Sequence, residues 1–336
     1  MKLFTIAIPT FNRAKCLDLC LSQFSPQLHE CETEVDLIIS DNCSTDETQD
    51  IVSKYLKIHP NIRYIRNSCN IGPDENFIQC YKEADSKYVL IFGDDDVIHD
   101  HALKYLLDVI RSDDFGSVFL SVTAFSGEFN KKDHNTRPDK GYVVYNDNQE
   151  YIYRVYIDST FISSNIINKS LMPSSINIGA YSGTNLVQLG WTLPAYIYNQ
   201  KHAYIERPIL AAKTFNSGGF RFFHVFVTNF MAILSTYKNN GLSLQLYNRI
   251  INKLLAQFYP GRILNIRLNK EVYDDSNENI FQIFHDKFSK NILFWLYIVP
   301  AIYLPPGIAK FTLKWGKSIH KRYTKVQGLL QRKLSF

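Results

Sequence analysis

The chain has no C-x-x-C pair and no histidine cluster beside its cysteines, so a structural zinc site is not expected. All six cysteines (Cys16, Cys20, Cys31, Cys43, Cys69, Cys80) fall in the first quarter and read as ordinary cytosolic thiols. The N-terminus, Met1 to Pro9, carries too short an apolar run for a signal peptide, which argues for the cytoplasmic side. There is no internal repeat, no low-complexity linker and no sharp domain boundary. A net charge of +5 is too small to mark a dedicated nucleic-acid binder. One absence is local: from Lys310 onward Lys and Arg are frequent and acidic residues are missing.

What is present reads as globular. Apolar residues make up 46% and charged ones 21%, a balance that builds a core and excludes disorder. Four apolar stretches, Leu3 to Ile8, Val35 to Ser40, Asn61 to Ile65 and Tyr88 to Phe92, read as strands. Helices are expected between them: from Ala14 to Phe24, from a Ser44/Glu47 capping box to His59, and from Gly72-Pro73 to Ala84. A period of about 30 residues per strand–helix unit marks βαβ crossovers, hence an α/β fold with a parallel, Rossmann-like sheet. The later pattern is less regular, with strands at Ser117 to Val122, Gly141 to Tyr145 and Phe161 to Ile167. Helices resume from Thr184 to Tyr198 and dominate from Phe220 to Phe258. The expected organisation is a core over 1–215 (halves 1–115 and 116–215), a helical extension over 216–290, and a tail over 291–336.

The stretch from Tyr88 to Asp96 carries the chemistry. An apolar strand buried on both faces runs into Gly93 and then Asp94, Asp95 and Asp96, placing three carboxylates at a strand's carboxyl end. Adjacent like charges repel unless solvated or shared with a cation, and Mg²⁺ or Mn²⁺ would relieve them and hold a diphosphate. Read alone, the triplet better suits a solvated turn capping the helix near His99, and only its surroundings reverse that preference. The other strand-end loops, Pro9–Arg13 and Asp41–Ser44, are each plain turns by themselves.

Together, in this order, the three loops resemble glycosyltransferase family 2, with its GT-A fold, over roughly residues 3–115. Ile8-Pro9-Thr10-Phe11-Asn12-Arg13 matches the family's opening strand and turn, and Ile39 to Asp46 its nucleobase loop. Gly93-Asp94-Asp95-Asp96 falls where the family has its metal-binding acids. The resemblance implies nucleotide contacts from Pro9, Thr10, Phe11, Asn12, Arg13, Asp41, Asn42 and Asp94. It implies a metal at Asp95 and Asp96, with Asp95 the principal ligand because Gly93 stands where relatives supply a further acid. Asn42 both donates and accepts, so a UDP- or a CDP-linked donor is compatible. Asn67 to Phe77 is similar to a segment of bacterial O-antigen dideoxyhexosyl (abequosyl-type) transferases, which act on lipid-linked acceptors. No Glu-Asp pair lies between Gly116 and Phe230, so the base for an acceptor hydroxyl is sought among Asp158, Glu206 and His224.

Ile292 to Ala309 has no charge, but Pro300, Pro305, Pro306 and Gly307 interrupt it, which disfavours a spanning helix. Beyond it, Lys310, Lys314, Lys317 and Lys321 repeat at helical spacing opposite Phe311, Trp315, Ile319, Tyr323, Val326 and Leu330. A basic amphipathic helix of this kind reads as an in-plane membrane anchor. The expected protein is a peripheral transferase at the cytoplasmic face of the inner membrane, passing a sugar to a lipid-linked oligosaccharide in O-antigen or capsule synthesis. Two rivals are a metal-dependent nucleotidyltransferase and a non-catalytic membrane scaffold with a decayed fold. The first needs a basic or glycine-rich loop after the first strand, and Pro9-Thr10-Phe11-Asn12 is not one.

Overall fold

The structure, a computed structural model, describes residues 2–130, 141–214, 219–268, 270, 273 and 278–313. The chain divides into two compact units, Met1–Asn216 and Ser217–Phe336. In the first, strands β1 (Phe4–Thr10), β2 (Val35–Asp41), β3 (Ile62–Arg66) and β4 (Tyr88–Ile91) alternate with helices α1 (Ala14–Glu30), α2 (Thr48–Leu56) and α3 (Pro73–Glu83). Adjacent pairs β3–β2, β2–β1 and β1–β4 are all parallel. Every residue of β1 and β4 is buried, which is why their sequences run apolar without alternation. Each fully buried Ile or Leu in these strands contributes roughly 2 kcal/mol.

The rest of the sheet is mixed. A two-residue strand β5 (Val97–Ile98) and helix α4 (Ala102–Ser112) follow the acidic turn. Then come β6 (Ser117–Phe125), β7 (Tyr142–Tyr145), α5 (Asn148–Val155), β8 (Asn165–Asn168), α6 (Leu189–Tyr198) and β9 (His202–Lys213). The nine-stranded sheet has the order β3-β2-β1-β4-β8-β6-β9-β5, with β7 paired to β9. Strand β8 lies antiparallel to β4 and so joins the parallel half to the second half.

Four local expectations need correcting. The strand expected at Phe161 to Ile167 is only β8, because Ile162–Ser164 form a 3₁₀ turn. Helix α1 does not stop at Phe24; it passes through Pro26, which forfeits one backbone bond. The continuation is held by buried Gln27, which donates to the His99 carbonyl and accepts the Leu103 N–H. Ser44 and Glu47 form no capping box; α2 begins at Thr48, whose N–H and hydroxyl both donate to Asp46. Strand β9, the sheet's longest, was not expected at all. Its pairing with β6 slips between Leu120 and Val122, so Glu206, Arg207 and Pro208 bulge and read as a turn in the sequence.

The second unit is helical. It contains α7 (Phe230–Thr236), α8 (Leu244–Lys253), α9 (Tyr259–Arg267), α10 (Ile280–Phe288) and α11 (Val299–Tyr303), with π-helical turns at His224–Asn229, Leu254–Phe258 and Phe294–Ile298. Tyr297, Ala309 and Leu313 pack with Ala256 and Leu264, so residues 291–313 share a core with the helices before them. Among the described residues no helix is long and apolar enough to cross a membrane. The basic repeat from Lys314 onward lies outside the described residues.

Candidate active site

Parallel strands end on the same edge, so β1, β2 and β4 deliver their following loops to one place. The first loop turns at Asn12, whose φ of 52° is left-handed, a conformation Asn tolerates well. Asn12 then clasps the second loop: its N–H donates to Ser44 Oγ at 2.9 Å, and its Oδ1 accepts the Thr45 N–H at 2.7 Å. Asp46 accepts the Ala14 N–H that opens α1, tying the same two loops from the other side. The Asn42 N–H donates to the Thr10 carbonyl at 2.9 Å.

The acidic turn is held from the first loop. Thr10 Oγ1 donates to Asp94 Oδ2 at 2.7 Å. Arg13 Nη1 donates to Asp94 Oδ1 at 2.9 Å and to Asp95 Oδ2 at 3.0 Å. On the far side Ser163 works in two directions, accepting the Gly93 N–H at 2.9 Å and donating to Asp96 Oδ2. Asp94 and Asp96 are buried, whereas the Asp95 side chain retains 18% exposure. Burial is the main cause that pushes Asp94 up to about 6, opposed by Arg13 and reinforced by Asp95. Burial and then Asp95 push Asp96 up to about 8, against the hydrogen bond from Ser163 and one from the Lys213 backbone.

Gly93 is explained by the same geometry. A Cβ built there would lie 3.0 Å from Asp96 Oδ2 and 3.1 Å from Asp95 Oδ1, so a side chain would press on both carboxylates. Two of the three carboxylates and the Ser163 hydroxyl thus pack around the space that a side chain at 93 would take.

The three acids are oxygen donors, the type that a hard divalent cation such as Mg²⁺ or Mn²⁺ takes. Arg13 pairs with Asp94 and Asp95, and Asp96 is held by Ser163 instead. Among the described residues no group of three or more His, Cys, Asp or Glu side chains is arranged to hold a metal ion by itself. The acids therefore suit an ion that completes its shell with substrate oxygens and water, the usual habit of Mg²⁺.

The second loop is built differently from what its residue types suggest. Asp41 is fully buried; its Oδ1 accepts the Ser44 N–H at 2.8 Å and its Oδ2 accepts the Tyr64 hydroxyl at 2.6 Å. Arg66 Nε lies 3.4 Å from the same Oδ2. Burial and the Asp41 hydrogen bond keep the Tyr64 hydroxyl well above its ordinary range, so it stays a donor. Asn42 spends its amide on the loop after β3. Its Nδ2 donates to Asn70 Oδ1 and the Gly72 carbonyl, and its Oδ1 accepts the Ile71 N–H and Asn67 Nδ2. Pro9 is buried one residue before the end of β1, and Phe11 stands 40% exposed just beyond it.

Asp158 is exposed on the 3₁₀ turn Tyr156–Thr160, upstream of Ser163. That turn opens at Tyr156 with φ of 31°, a strained value for a residue with a side chain. Glu206 is exposed on the β9 bulge. His224 belongs to the second unit, half-buried in the π-helical turn His224–Asn229. Ser163 was missed because a serine in a mixed segment gives no signal; only the fold brings it to Asp96. Removing its hydroxyl leaves the Gly93 N–H and Asp96 short of a partner. Ser163→Ala is therefore expected to lower the unfolding free energy by about 1–2 kcal/mol and to weaken nucleotide-dependent metal binding several-fold, read by denaturant titration and calorimetry.

A glycosyl transferase family 2 profile matches residues 5–171. The chain carries a glycosyltransferase family 2 domain. Over 111 residues it is 34% identical to abequosyltransferase RfbV of Salmonella typhimurium, covering 33% of this chain and 33% of that one. Over 105 residues it is 30% identical to the poly(ribitol-phosphate) beta-N-acetylglucosaminyltransferase TarS of Staphylococcus aureus, covering 31% of this chain and 18% of TarS. It is also 28% identical over 108 residues to the GalNAc(5)-diNAcBac-PP-undecaprenol beta-1,3-glucosyltransferase of Campylobacter jejuni. That match spans 32% of this chain and 34% of that protein. The chain thus spans about a third of these relatives' length, or less. The crystal structure of S. aureus TarS residues 1–349 superposes with a TM-score of 0.60 at 18% identity, over 97% of this chain and 92% of that fragment. The fold is GT-A.

Proposed function

We propose that the protein transfers a sugar from a UDP- or CDP-linked donor to a hydroxyl of a lipid-linked glycan during assembly of a bacterial surface polysaccharide, as a peripheral protein on the cytoplasmic face of the inner membrane. The observation that carries this reading is the meeting of Thr10, Arg13, Asp94, Asp95 and Asp96 at the carboxyl ends of β1 and β4. Names of relatives support the wider setting: one is an abequosyltransferase and another is named for an undecaprenol-linked glycan. A lipid-linked acceptor and the peripheral location rest on that likeness and on the composition of the tail.

In this reading Asp95, the most exposed of the three acids, is the principal metal ligand, with Asp94 or Asp96 beside it. A bound Mg²⁺ or Mn²⁺ would supply Lewis-acid neutralisation of the charge that develops on the diphosphate leaving group. Thr10 and Ser163 keep the acids from turning away, and Arg13 is a cation within reach of the same region. Asp41 and Asn42 act by shaping the nucleobase wall, since their polar atoms fix the 41–48 and 67–72 loops. Asp158 is the candidate within this unit for taking the acceptor's proton.

A thermal-shift series with UDP, CDP, GDP and dTDP, each with and without Mn²⁺, tests the reading. UDP or CDP is expected to raise the unfolding midpoint only when Mn²⁺ accompanies it, by several degrees at saturating ligand. Equal indifference to all four nucleotides in the presence of Mn²⁺ would sink the transferase reading.

A further inference from the structure

Residues 292–303 form one helix containing the π-helical stretch Phe294–Ile298, and residues 306–313 form a second. Each has an inner side: Phe294, Tyr297, Ile298 and Ala301 are buried on the first, Ala309 and Leu313 on the second. The outward side of a surface helix is ordinarily polar. Here it is not. Ile292, Trp295, Leu296 and Tyr303 on the first helix and Ile308 and Phe311 on the second are each between 46% and 65% exposed. Single exposed apolar residues are unremarkable, but six within one short helix pair form a patch that calls for a partner.

The surroundings say which partner. No charged residue lies between Ile292 and Ala309, and the nearest exposed cations bracket the stretch, Lys287 and Lys290 before it and Lys310 after it. The acid on that border, Asp286, already accepts from Gln282 Nε2. We propose that this helix pair is the surface by which the protein lies on an anionic lipid bilayer, with Trp295 and Tyr303 at headgroup depth and the lysines facing lipid phosphates. The proposal rests on the peripheral transferase reading above and gives it a face. It also replaces an inserted segment with a docked one, because half of each helix is committed to the unit's own core. Proline at 300, 305 and 306 keeps the two helices short, so the pair lies along the surface instead of entering it. A second copy seated isologously would oppose lysines to lysines, whereas a bilayer of negative headgroups satisfies both the apolar side chains and the cations.

The test is co-sedimentation of the full chain with two kinds of vesicle: phosphatidylcholine alone, and phosphatidylcholine with phosphatidylglycerol in equal parts. Binding to the anionic vesicles is expected, weaker at high salt and at least about tenfold weaker to phosphatidylcholine alone. The double variant Leu296→Glu/Ile308→Glu is expected to lose about tenfold or more in vesicle affinity, since it puts charge where apolar surface must be buried. Both side chains are exposed, so its unfolding midpoint and its nucleotide response should match the parent chain. If the double variant binds as well as the parent, the face is not the contact and the proposal fails. It also fails if the parent chain ignores both vesicles, or if the variant's only change is to turn a dimer into a monomer. Nucleotide stabilisation is read separately, so loss of the transferase reading and loss of this face give different results.

Discussion

Asp95→Asn is expected to reduce sugar transfer by at least about a thousandfold while shifting the unfolding midpoint by no more than about 2 °C. The substitution keeps the shape of the side chain and removes its charge. Asp95 is the acid that reaches solvent, with 18% of its side chain exposed, so little packing depends on it. Its Oδ2 shares the Arg13 guanidinium with Asp94, and Asp94 keeps that cation when Asp95 is neutralised. On the proposed reading, what is lost is the anionic oxygen that would hold a divalent ion against a diphosphate. Release of nucleoside diphosphate from donor and acceptor is the measurement. An Asp95→Asn protein with full turnover would remove Asp95 from the site.

Arg13→Ala should show its effect first as stability. Arg13 is the cation that pairs with Asp94 and Asp95, and Asp94 is almost wholly buried. Removing one partner of a buried pair costs several kcal/mol, but Arg13 keeps 35% exposure and water screens part of the loss. A destabilisation of about 2 kcal/mol at pH 8 is the resulting expectation. Its pH dependence has a definite sign. Asp94 and Asp96 are pushed up to about 6 and about 8, so the folded state holds protons that the unfolded carboxyls have released. Stability from this cluster therefore falls as pH rises from about 4 toward 8, and losing Arg13 steepens that fall. Variant and parent should converge near pH 5, where the buried acids are neutral, and separate at pH 8. Mn²⁺ is expected to restore the variant more than the parent, because the variant has no resident cation to displace. Thermal unfolding at both pH values, with and without Mn²⁺, measures this; a pH-independent gap would mean that Arg13 acts by packing instead.

Much of this architecture is legible in the chain because parallel strands are buried on both faces. Phe4–Thr10 and Tyr88–Ile91 are buried throughout, Val35–Asp41 is apolar at its centre, and the spacing between them leaves room for little except a crossover helix. The second half resisted the same reading. Strand β9 contains Glu206-Arg207-Pro208, a turn signal that the sheet absorbs as a bulge against β6. Residues 162–164 are β-prone but follow a 3₁₀ path, which brings Ser163 under the acidic turn. In the second loop the residue types misled in a specific way. Ser44 and Glu47 have the spacing of a capping box, yet Ser44 is spent on Asn12 and Asp46 becomes the acceptor for two helix starts.

By itself the sequence determined the strand–helix series, the placement of the acids after the fourth strand, and the apolar, acid-free character of the tail. Each of these is a property of neighbours along the chain: periodicity, adjacent charges, local composition. Tertiary structure decided what holds each acid. Asp94, Asp95 and Asp96 are consecutive and chemically identical, but Thr10 and Arg13 hold the first, Ser163 holds the third, and the second shares Arg13 while keeping 18% of its side chain exposed. It also set the hydrogen-bond partners of Asp41 and Asn42, and made the uncharged stretch after Ile292 half core and half surface. Burial and hydrogen-bond partners come from residues some 70 to 85 positions away, as the separations of 70 for Gly93–Ser163 and 84 for Thr10–Asp94 illustrate. No local pattern encodes a partner at that distance, so the same three letters could be separated into roles only once the chain had folded.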